Sequence, residues 1–388
     1  MKVLHVIPAL GASYGGPSIA MRAIVKGLIR QGIDVDVVTT NANGKKNLVK
    51  PLNFRIEEEK VGYYFFRRRL SEWKFSWGLT TWLNQHISEY DLVHSHAVFC
   101  YPSLPAGLLA RKNKIPYIIR PAGILDPWCL KQKAFKKNIY YRLLEKKNIM
   151  RASAVHVTSE IEKKSLEILN IEKNVFLIPH AVHDIKPVQR FFSEEMKILF
   201  LGRLHPKKGI ELLLKAVFNL FKNNKKISLT IAGEAEAGYF SELMRLTNEL
   251  GIQSIVRFVG FVQGEEKNKL IQDHHVFVLP SFQENFAVAA AESLASGMPV
   301  VLTDQVGLAR NVKIYDAGCV VEVNNVKQLT EAIEMLSYQA IWENCSNNAL
   351  KLAQEQLTID VLGKNLLNMY QQVLGEHGKN DFGDYSYV

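Results

Sequence analysis

Short apolar runs alternate with amphipathic stretches from the first residues onward. Residues 2–10 are almost continuously apolar, and the turn Gly11-Ala12-Ser13-Tyr14-Gly15-Gly16-Pro17 follows. Residues 18–30 then carry Ile19, Ala20, Ala23, Ile24, Gly27 and Leu28 near a 3.6-residue spacing. The pattern predicts a buried strand, a glycine turn, a helix stopped at Gly32, and a second strand over 33–39. More strands are expected at 92–96, 117–119, 155–158 and 175–178, with amphipathic stretches between most of them. The alternation then restarts: a strand at 197–201, Gly202-Arg203, a helix over 210–221, and strands at 228–232, 256–259, 276–279, 300–302 and 319–321. Parallel strands need long crossovers, which helices supply, so both halves read as parallel β-α-β units.

The polar stretch 183–190 has no periodicity and is the expected linker, giving domains 1–187 and 188–359. Residues 378–388 are polar and aromatic and are expected to form a frayed tail. No repeat of fixed period stands out. At about 150 residues per domain, 388 residues make two or three domains, and a 47% apolar content excludes disorder as the main state. The fold class expected is α/β, with two doubly wound parallel-sheet domains.

Cys100, Cys129, Cys319 and Cys345 lie far apart, which excludes a sequence-local zinc site or disulfide scaffold and suits a reducing compartment. No apolar run approaches a membrane span of roughly 18–20 residues. The first apolar run holds His5 and Pro8 and reads as a strand rather than a signal peptide. A cytoplasmic protein is expected. Charge is divided unevenly: residues 1–187 hold 29 Lys/Arg and 15 Asp/Glu (+14), and residues 188–388 hold 19 and 23 (−4). Such an asymmetry suits an anionic partner for the first half; a solvated basic surface is the plainer alternative.

Three constellations could carry chemistry. The first runs from Val276-Phe277-Val278-Leu279 through Pro280-Ser281-Phe282-Gln283-Glu284-Asn285 into an alanine-rich helix with Glu292. Glu284 belongs to a loop at a strand's carboxyl end, and Glu292 is expected about two turns into the helix. A carboxylate on an apolar helix face needs partners, and sugar hydroxyls are suitable donors. The alternative has Glu284 solvated and Glu292 in an ion pair. The second is Gly202-Arg203-Leu204-His205-Pro206-Lys207-Lys208-Gly209, where a guanidinium fork and a lysine charge suit a diphosphate. The third is the Gly11–Gly16 turn, where glycine permits close backbone approach and a helix N-terminus favours an anion. It does not match G-x-G-x-x-G, and no P-loop motif occurs.

Glu284-x7-Glu292 after Leu279-Pro280-Ser281, with Gly202-Arg203…Lys208-Gly209 upstream and the glycine turn after the first strand, resembles the family-four retaining glycosyltransferases. The resemblance covers roughly residues 1–375 and implies the GT-B fold: two Rossmann-like domains with the active site in the cleft. A helix over about 360–377 is then expected to pack back on the first domain. By position, Arg203 and Lys208 would neutralise the leaving diphosphate. Glu284 would hold hydroxyls of the donor sugar beside backbone N–H groups at Asn285, Phe286 and Ala287. Glu292 would bind the ribose, Gly15 and Gly16 would approach the donor phosphate, and Phe261 would wall the base. The donor implied is a UDP- or GDP-sugar, with no metal or other cofactor. The single D-x-D, Asp34-Val35-Asp36, lies inside a strand and reads as structural.

This chain departs from the family pattern at Asn285 and Ala287, where many relatives carry Gly or Ser and Gly respectively. A Thr-x-His segment common in relatives is replaced by Arg120-Pro121-Ala122-Gly123, leaving His96 and Arg120 as acceptor-side candidates. The glutamate that relatives often have near Ala309-Arg310 is also missing. His94 and His96 share one strand face; a core pair is favoured there over a metal pair. Basic residues mixed with aromatics occur at 65–82 and 131–151, which suits an anionic lipid surface. The acceptor expected is a glycan or lipid-linked species at the inner face of the membrane, in polysaccharide or glycolipid synthesis. No nucleic-acid module occurs, so no nucleic-acid partner is expected. The alternatives are a nucleotide-sugar epimerase on the same fold and a catalytically inactive sugar-nucleotide-binding scaffold subunit.

Overall fold

The computed structural model describes every residue except 71–72, 126–139, 172, 183–186, 189, 237 and 382–388. The chain divides into two units. Unit 1 comprises Met1–Ala181 and Ile359–Val388, and unit 2 comprises Val182–Thr358. The division falls at Ala181/Val182, a few residues before the stretch the sequence marks as linker.

Unit 1 contains β1 (Lys2–Ala9), α1 (Gly16–Arg30), β2 (Asp34–Thr40), a small hairpin of β3 (Ala42–Asn43) and β4 (Lys46–Asn47), β5 (Arg55–Glu58) and β6 (Val61–Phe66). It continues with α2 (Trp77–His86), β7 (Leu92–His96), α3 (Ser103–Lys112), β8 (Tyr117–Arg120), and a π-helical turn Tyr141–Glu145 that runs into α4 (Lys146–Met150). β9 (Ala154–Val157), α5 (Glu160–Ile168) and β10 (Val175–Leu177) complete its first segment. The sheet order is β10-β9-β8-β7-β1-β2-β6-β5, parallel except for the antiparallel β5–β6 edge pair. β6 escapes the sequence reading because its aromatics run into Arg67-Arg68-Arg69; Phe65 and Phe66 are in fact buried.

Alternation along the strands splits the core of unit 1 in two. Leu4, Val6, Val38 and Val93 pack with Leu79, Leu83 and Leu109 on one face. Val3, Ile7, Val35 and Val37 pack with Ile24, Leu28, Leu366 and Tyr370 on the other. The last two belong to the terminal helix Ile359–Asp381, so the first residues of the stretch expected to fray are helical. That helix meets α1 where Gly27 faces Gly363: a Cβ on Gly27 would stand 2.9 Å from the Ile359 carbonyl oxygen. Asp36 of the D-x-D is buried in β2 and accepts a hydrogen bond from the Tyr90 hydroxyl at 2.7 Å, a structural role.

Unit 2 repeats the plan with β11 (Met196–Leu201), α6 (Ile210–Lys222), β12 (Ile227–Ala232), α7 (Tyr239–Glu249), β13 (Val256–Gly260), α8 (Gly264–Asp273) and β14 (Val276–Leu279). α9 (Val288–Ala295), β15 (Val300–Thr303), α10 (Ala309–Tyr315), β16 (Gly318–Val321), α11 (Val326–Met335) and α12 (Gln339–Gln356) follow, and the terminal helix of unit 1 is α13. Its six strands are all parallel, in the order β13-β12-β11-β14-β15-β16. Numbered within the unit this is 3-2-1-4-5-6, the dinucleotide-fold order, with its switch point between β11 and β14. In unit 1 the equivalent point lies between β1 and β7. Ligands of such sheets bind beyond the carboxyl ends of the strands at that point.

Candidate active site

The loops leaving β11 and β14 are the two that flank the switch point of unit 2. They carry Arg203 and Lys208 on one side and Glu284 on the other. After β11 the chain makes a short 3₁₀ turn, Pro206–Lys208, and enters α6 through Gly209 at φ +66°. A side chain is excluded there: a Cβ on Gly209 would stand 3.1 Å from the Pro280 carbonyl carbon and closer still to its oxygen. This close approach ties the two loops together. The Phe282 amide reinforces it by donating to the Lys207 carbonyl at 2.8 Å.

The β14 loop is fixed from its other side as well. The Glu284 amide donates to the Gln305 carbonyl and the Gly307 amide to the Glu284 carbonyl, both at 2.9 Å. The Thr303 hydroxyl donates to the Ser281 carbonyl at 2.5 Å. Within this frame the Lys208 ammonium pairs with the Glu284 carboxylate, both side chains part-buried. Arg203 is largely exposed, with its guanidinium 3.6 Å from Glu236. Ser281 Oγ and Gln283 Oε1 of the same β14 loop are buried without a hydrogen-bond partner. Such atoms are costly unless something satisfies them.

α9 begins at Val288, and its N-cap Ala287 sits at φ +70°, in the left-handed region where glycine is at ease. Phe286 and Ala287 are buried, and Asn285 is half-buried. Glu292 lies little more than one turn into α9, because the helix starts later than the sequence suggests. It is 9% exposed and takes an ion pair from Lys267 of α8 at 2.5 Å. Lys267 has no sequence signal; it sits in an amphipathic helix with neighbouring charges. Arg190, from the stretch read as linker, was likewise missed. Its guanidinium donates to the carbonyls of Ile271 and His274 at the end of α8, and to the Ser296 carbonyl and hydroxyl at the end of α9. One half-buried cation thus caps both helices that carry the Glu292–Lys267 pair. Phe261 follows Gly260 at the end of β13 and is exposed.

In unit 1, Gly15 is the N-cap of α1 at φ +57° and Gly16 its first residue; a Cβ on either would meet nothing within 4 Å. Gly11 in the same turn has no such room, standing against Asn43. His96 and Arg120 end β7 and β8 and are register partners. They are 2% and 3% exposed and hydrogen-bonded to one another at 3.3 Å. Both are buried at the carboxyl ends of their strands. His5, His94 and His96 bring ring nitrogens within 4.8 Å of one another. Of the aromatics near the basic stretches, Trp73, Tyr101 and Tyr140 pack edge to face, while Trp77 remains exposed. Residues 131–139 of the second basic stretch lie outside the described residues.

Two family models match this chain. "Glycosyl transferase 4-like domain" matches residues 15–180 and "Glycosyl transferases group 1" matches residues 181–351. Their seam falls within two residues of the boundary between the units. The chain belongs to the family-four glycosyltransferases. Among its relatives, an uncharacterized glycosyltransferase of Methanocaldococcus jannaschii is 33% identical over 48% of this chain and 47% of that protein, about half its length. The mannosylfructose-phosphate synthase of Agrobacterium fabrum is 25% identical over 79% of this chain and 75% of that one. The glycosyltransferase also shares its fold with the sucrose-phosphate synthase of Thermosynechococcus elongatus (TM-score 0.76, 20% identity, 97% and 100% of the two chains). HepE of Anabaena, solved with UDP, is similar at a TM-score of 0.73 and 17% identity over 96% and 100% of the chains. The fold of this glycosyltransferase is GT-B.

Proposed function

We propose that this protein transfers a sugar, with retention and without a metal, from a nucleoside-diphosphate sugar to a glycan or lipid-linked acceptor. The observation that carries the reading is the Lys208–Glu284 pair held between two mutually braced loops at the switch point of unit 2. A departing diphosphate develops negative charge, and cations fixed in place before the reaction lower that barrier most. Arg203 and Lys208 are the cations at hand to neutralise that charge. As Lys208 turns its charge to the diphosphate, Glu284 is released to accept hydroxyls of the donor sugar. The N-terminal amides of α9, with those of Asn285, Phe286 and Ala287, offer donors to ligand oxygens. Glu292 accepts the ribose hydroxyls and Phe261 walls the base. In unit 1, taken by itself, the Gly15-Gly16 turn at the start of α1 suits a phosphate, and the strand ends at His96 and Arg120 shape the acceptor side.

UDP is favoured over GDP as the nucleotide by the structural likeness to HepE, whose structures hold UDP and UDP-glucose. Association with an anionic membrane surface is part of the proposal. Exposed Arg67, Arg69, Arg142 and Lys147 stand among exposed Leu70, Trp77 and Leu143 in unit 1, and no helix of the described residues is long and apolar enough to cross a membrane. Sedimentation with anionic vesicles at low salt tests that part, and absence of binding removes it.

The central test is a thermal-shift panel in EDTA with UDP, GDP, ADP and NAD. A ligand at about 100 times its dissociation constant adds roughly 2.7 kcal/mol of stability, enough for a visible shift. A selective response to UDP or GDP is expected. No response to either, with or without magnesium, overturns the donor site.

A further inference from the structure

On the face of the unit 1 sheet covered by α1 and α13, an otherwise apolar layer is interrupted by a row of buried polar side chains. His5 comes from β1, His94 and His96 from β7, Arg120 from β8 and His156 from β9, and Tyr370 reaches them from α13. Their contacts form a single line. Arg120 Nη1 lies 3.3 Å from His96 Nδ1, and His96 Nε2 lies 2.8 Å from His5 Nδ1. His5 Nε2 lies 3.4 Å from the Tyr370 hydroxyl, which lies 2.8 Å from His94 Nδ1. His94 Nε2 lies 3.4 Å from His156 Nδ1, and His156 Nε2 lies 3.0 Å from the Ile178 carbonyl oxygen.

The two ends of this line decide its direction independently. A guanidinium can only donate. His96 Nδ1 must therefore accept, so its proton is on Nε2, and the same step repeats at His5 and brings a donated N–H to the Tyr370 oxygen. A carbonyl can only accept. His156 must therefore donate from Nε2 and accept at Nδ1, which makes His94 a donor from Nε2 and an acceptor at Nδ1. The Tyr370 hydroxyl must then donate to His94. Both walks meet at Tyr370 with the same polarity: its oxygen accepts from His5 and its proton goes to His94. Two donor-only ends, or two acceptor-only ends, would have conflicted.

We infer that Arg120, His96, His5, Tyr370, His94 and His156 form one proton-ordered chain of hydrogen bonds, with all four imidazoles held as the Nε2–H tautomer and Tyr370 as the positioning residue that closes it. Three consequences follow. No ring nitrogen in the row is left for a metal, so the His5–His94–His96 cluster is not a metal centre. His96 has both nitrogens engaged and does not serve as a base toward an acceptor. Arg120 is held by His96 through Nη1 and faces His180 through Nη2, with His180 Nε2 at 2.8 Å, so its guanidinium plane is fixed at the strand ends. Burial holds these histidines neutral, which each needs in order to donate and accept at once; His5 and His156 are lowered to about 3. The functional weight of the chain rests on the acceptor-side reading of unit 1, but its existence does not.

The test is long-range proton–nitrogen correlation NMR of the full-length protein carrying nitrogen-15 histidine, at neutral pH, with the four rings assigned by their contacts to Tyr370 and Arg120. All four are expected to show a protonated Nε2 and an unprotonated Nδ1, and zinc ion added alone is expected to leave them in place. A Nδ1–H tautomer or an imidazolium at any of the four, or stoichiometric zinc uptake that moves these signals, overturns the chain. In Tyr370→Phe the ring packing stays and the hydroxyl goes. His5 Nε2 and His94 Nδ1 are expected to shift as they lose their partner, while the tautomers, each set from its own end, persist. Unmoved His5 and His94 signals in that variant overturn the role of Tyr370. The wild-type measurement stands even if the variant does not fold. Loss of the nucleotide response described above would remove the transferase reading without touching these signals.

Discussion

Gly209→Ala isolates the contact that joins the two halves of the candidate diphosphate site. Gly209 has φ +66°, and an L-residue in that region costs about 1–2 kcal/mol. The added Cβ would also stand 3.1 Å from the Pro280 carbonyl carbon and 3.3 Å from Leu212 Cδ1. The leucine can rotate away, but the Pro280 backbone, anchored at the end of β14, cannot. Overpacking of this kind costs roughly 1–3 kcal/mol. Together these predict a loss of about 2–5 kcal/mol, less a few tenths regained because alanine restricts the unfolded chain. At about 2–4 °C per kcal/mol for a unit of this size, the unfolding midpoint of unit 2 should fall by roughly 4–20 °C. Gly251→Ala is the control: its φ is +67°, but a Cβ there meets nothing within 4 Å. It carries the conformational cost alone. Calorimetry of both variants gives the difference, and the nucleotide response should weaken in Gly209→Ala alone, because the turn bearing Lys208 must move. Equal losses in the two variants would refute the reasoning.

Lys208→Ala should lower turnover by about 10²–10³-fold, the scale of losing one preorganised partner of developing charge; wild-type turnover in a donor-consumption assay overturns the assignment. Glu292→Ala should weaken nucleotide binding by roughly 10–100-fold, from the 1.5–3 kcal/mol of a hydrogen bond to a charged group, read by titration calorimetry against wild type. Arg190→Lys should destabilise unit 2 by about 1–3 kcal/mol, because one ammonium cannot span two helix ends and buried carbonyls lose their donors; a midpoint within about 1 °C of wild type would sink that reading. Unit 1 should lose stability in acid. Burial lowers His5 and His156 to about 3, so the unfolded chain takes up protons below pH 6.5 that the folded state refuses. The contribution is intact above pH 6.5 and falls by about 1.4 kcal/mol per pH unit for each histidine as pH drops toward 3. Burial raises Glu145 to about 7, which gives a term of opposite sign between pH 4.5 and 7, but from one group only. Denaturant midpoints that stay flat between pH 7 and 5 would contradict this.

The fold class was legible because its signal is local. Buried parallel strands are apolar runs, crossover helices have a 3.6-residue period, and both survive in a single sequence. The chemistry-bearing loops were legible for a related reason: Arg203, Lys208 and Glu284 sit at strand ends, where turn residues mark the place. Other features were hidden because their meaning depends on what lies opposite. β6 was masked by the arginines that follow it, and only its pairing with β2 identifies it. Arg190 looks like any linker arginine until the carbonyls of two helix ends converge on it. Lys267 looks like a solvated lysine until α8 brings it to Glu292.

By itself, then, the sequence determined the two parallel α/β units, the loops that carry charge to their strand ends, and the family resemblance that these motifs compose. Hydrophobic period and turn chemistry are properties of neighbouring residues, so no partner is needed to read them. Only the tertiary structure decided which charges are paired, which glycine is obligatory, and which way the protons run along the histidines. Tyr370 lies 276 residues from His94, and nothing local to either predicts their hydrogen bond. Such contacts arise from strand order and helix packing, which the chain specifies only as a whole.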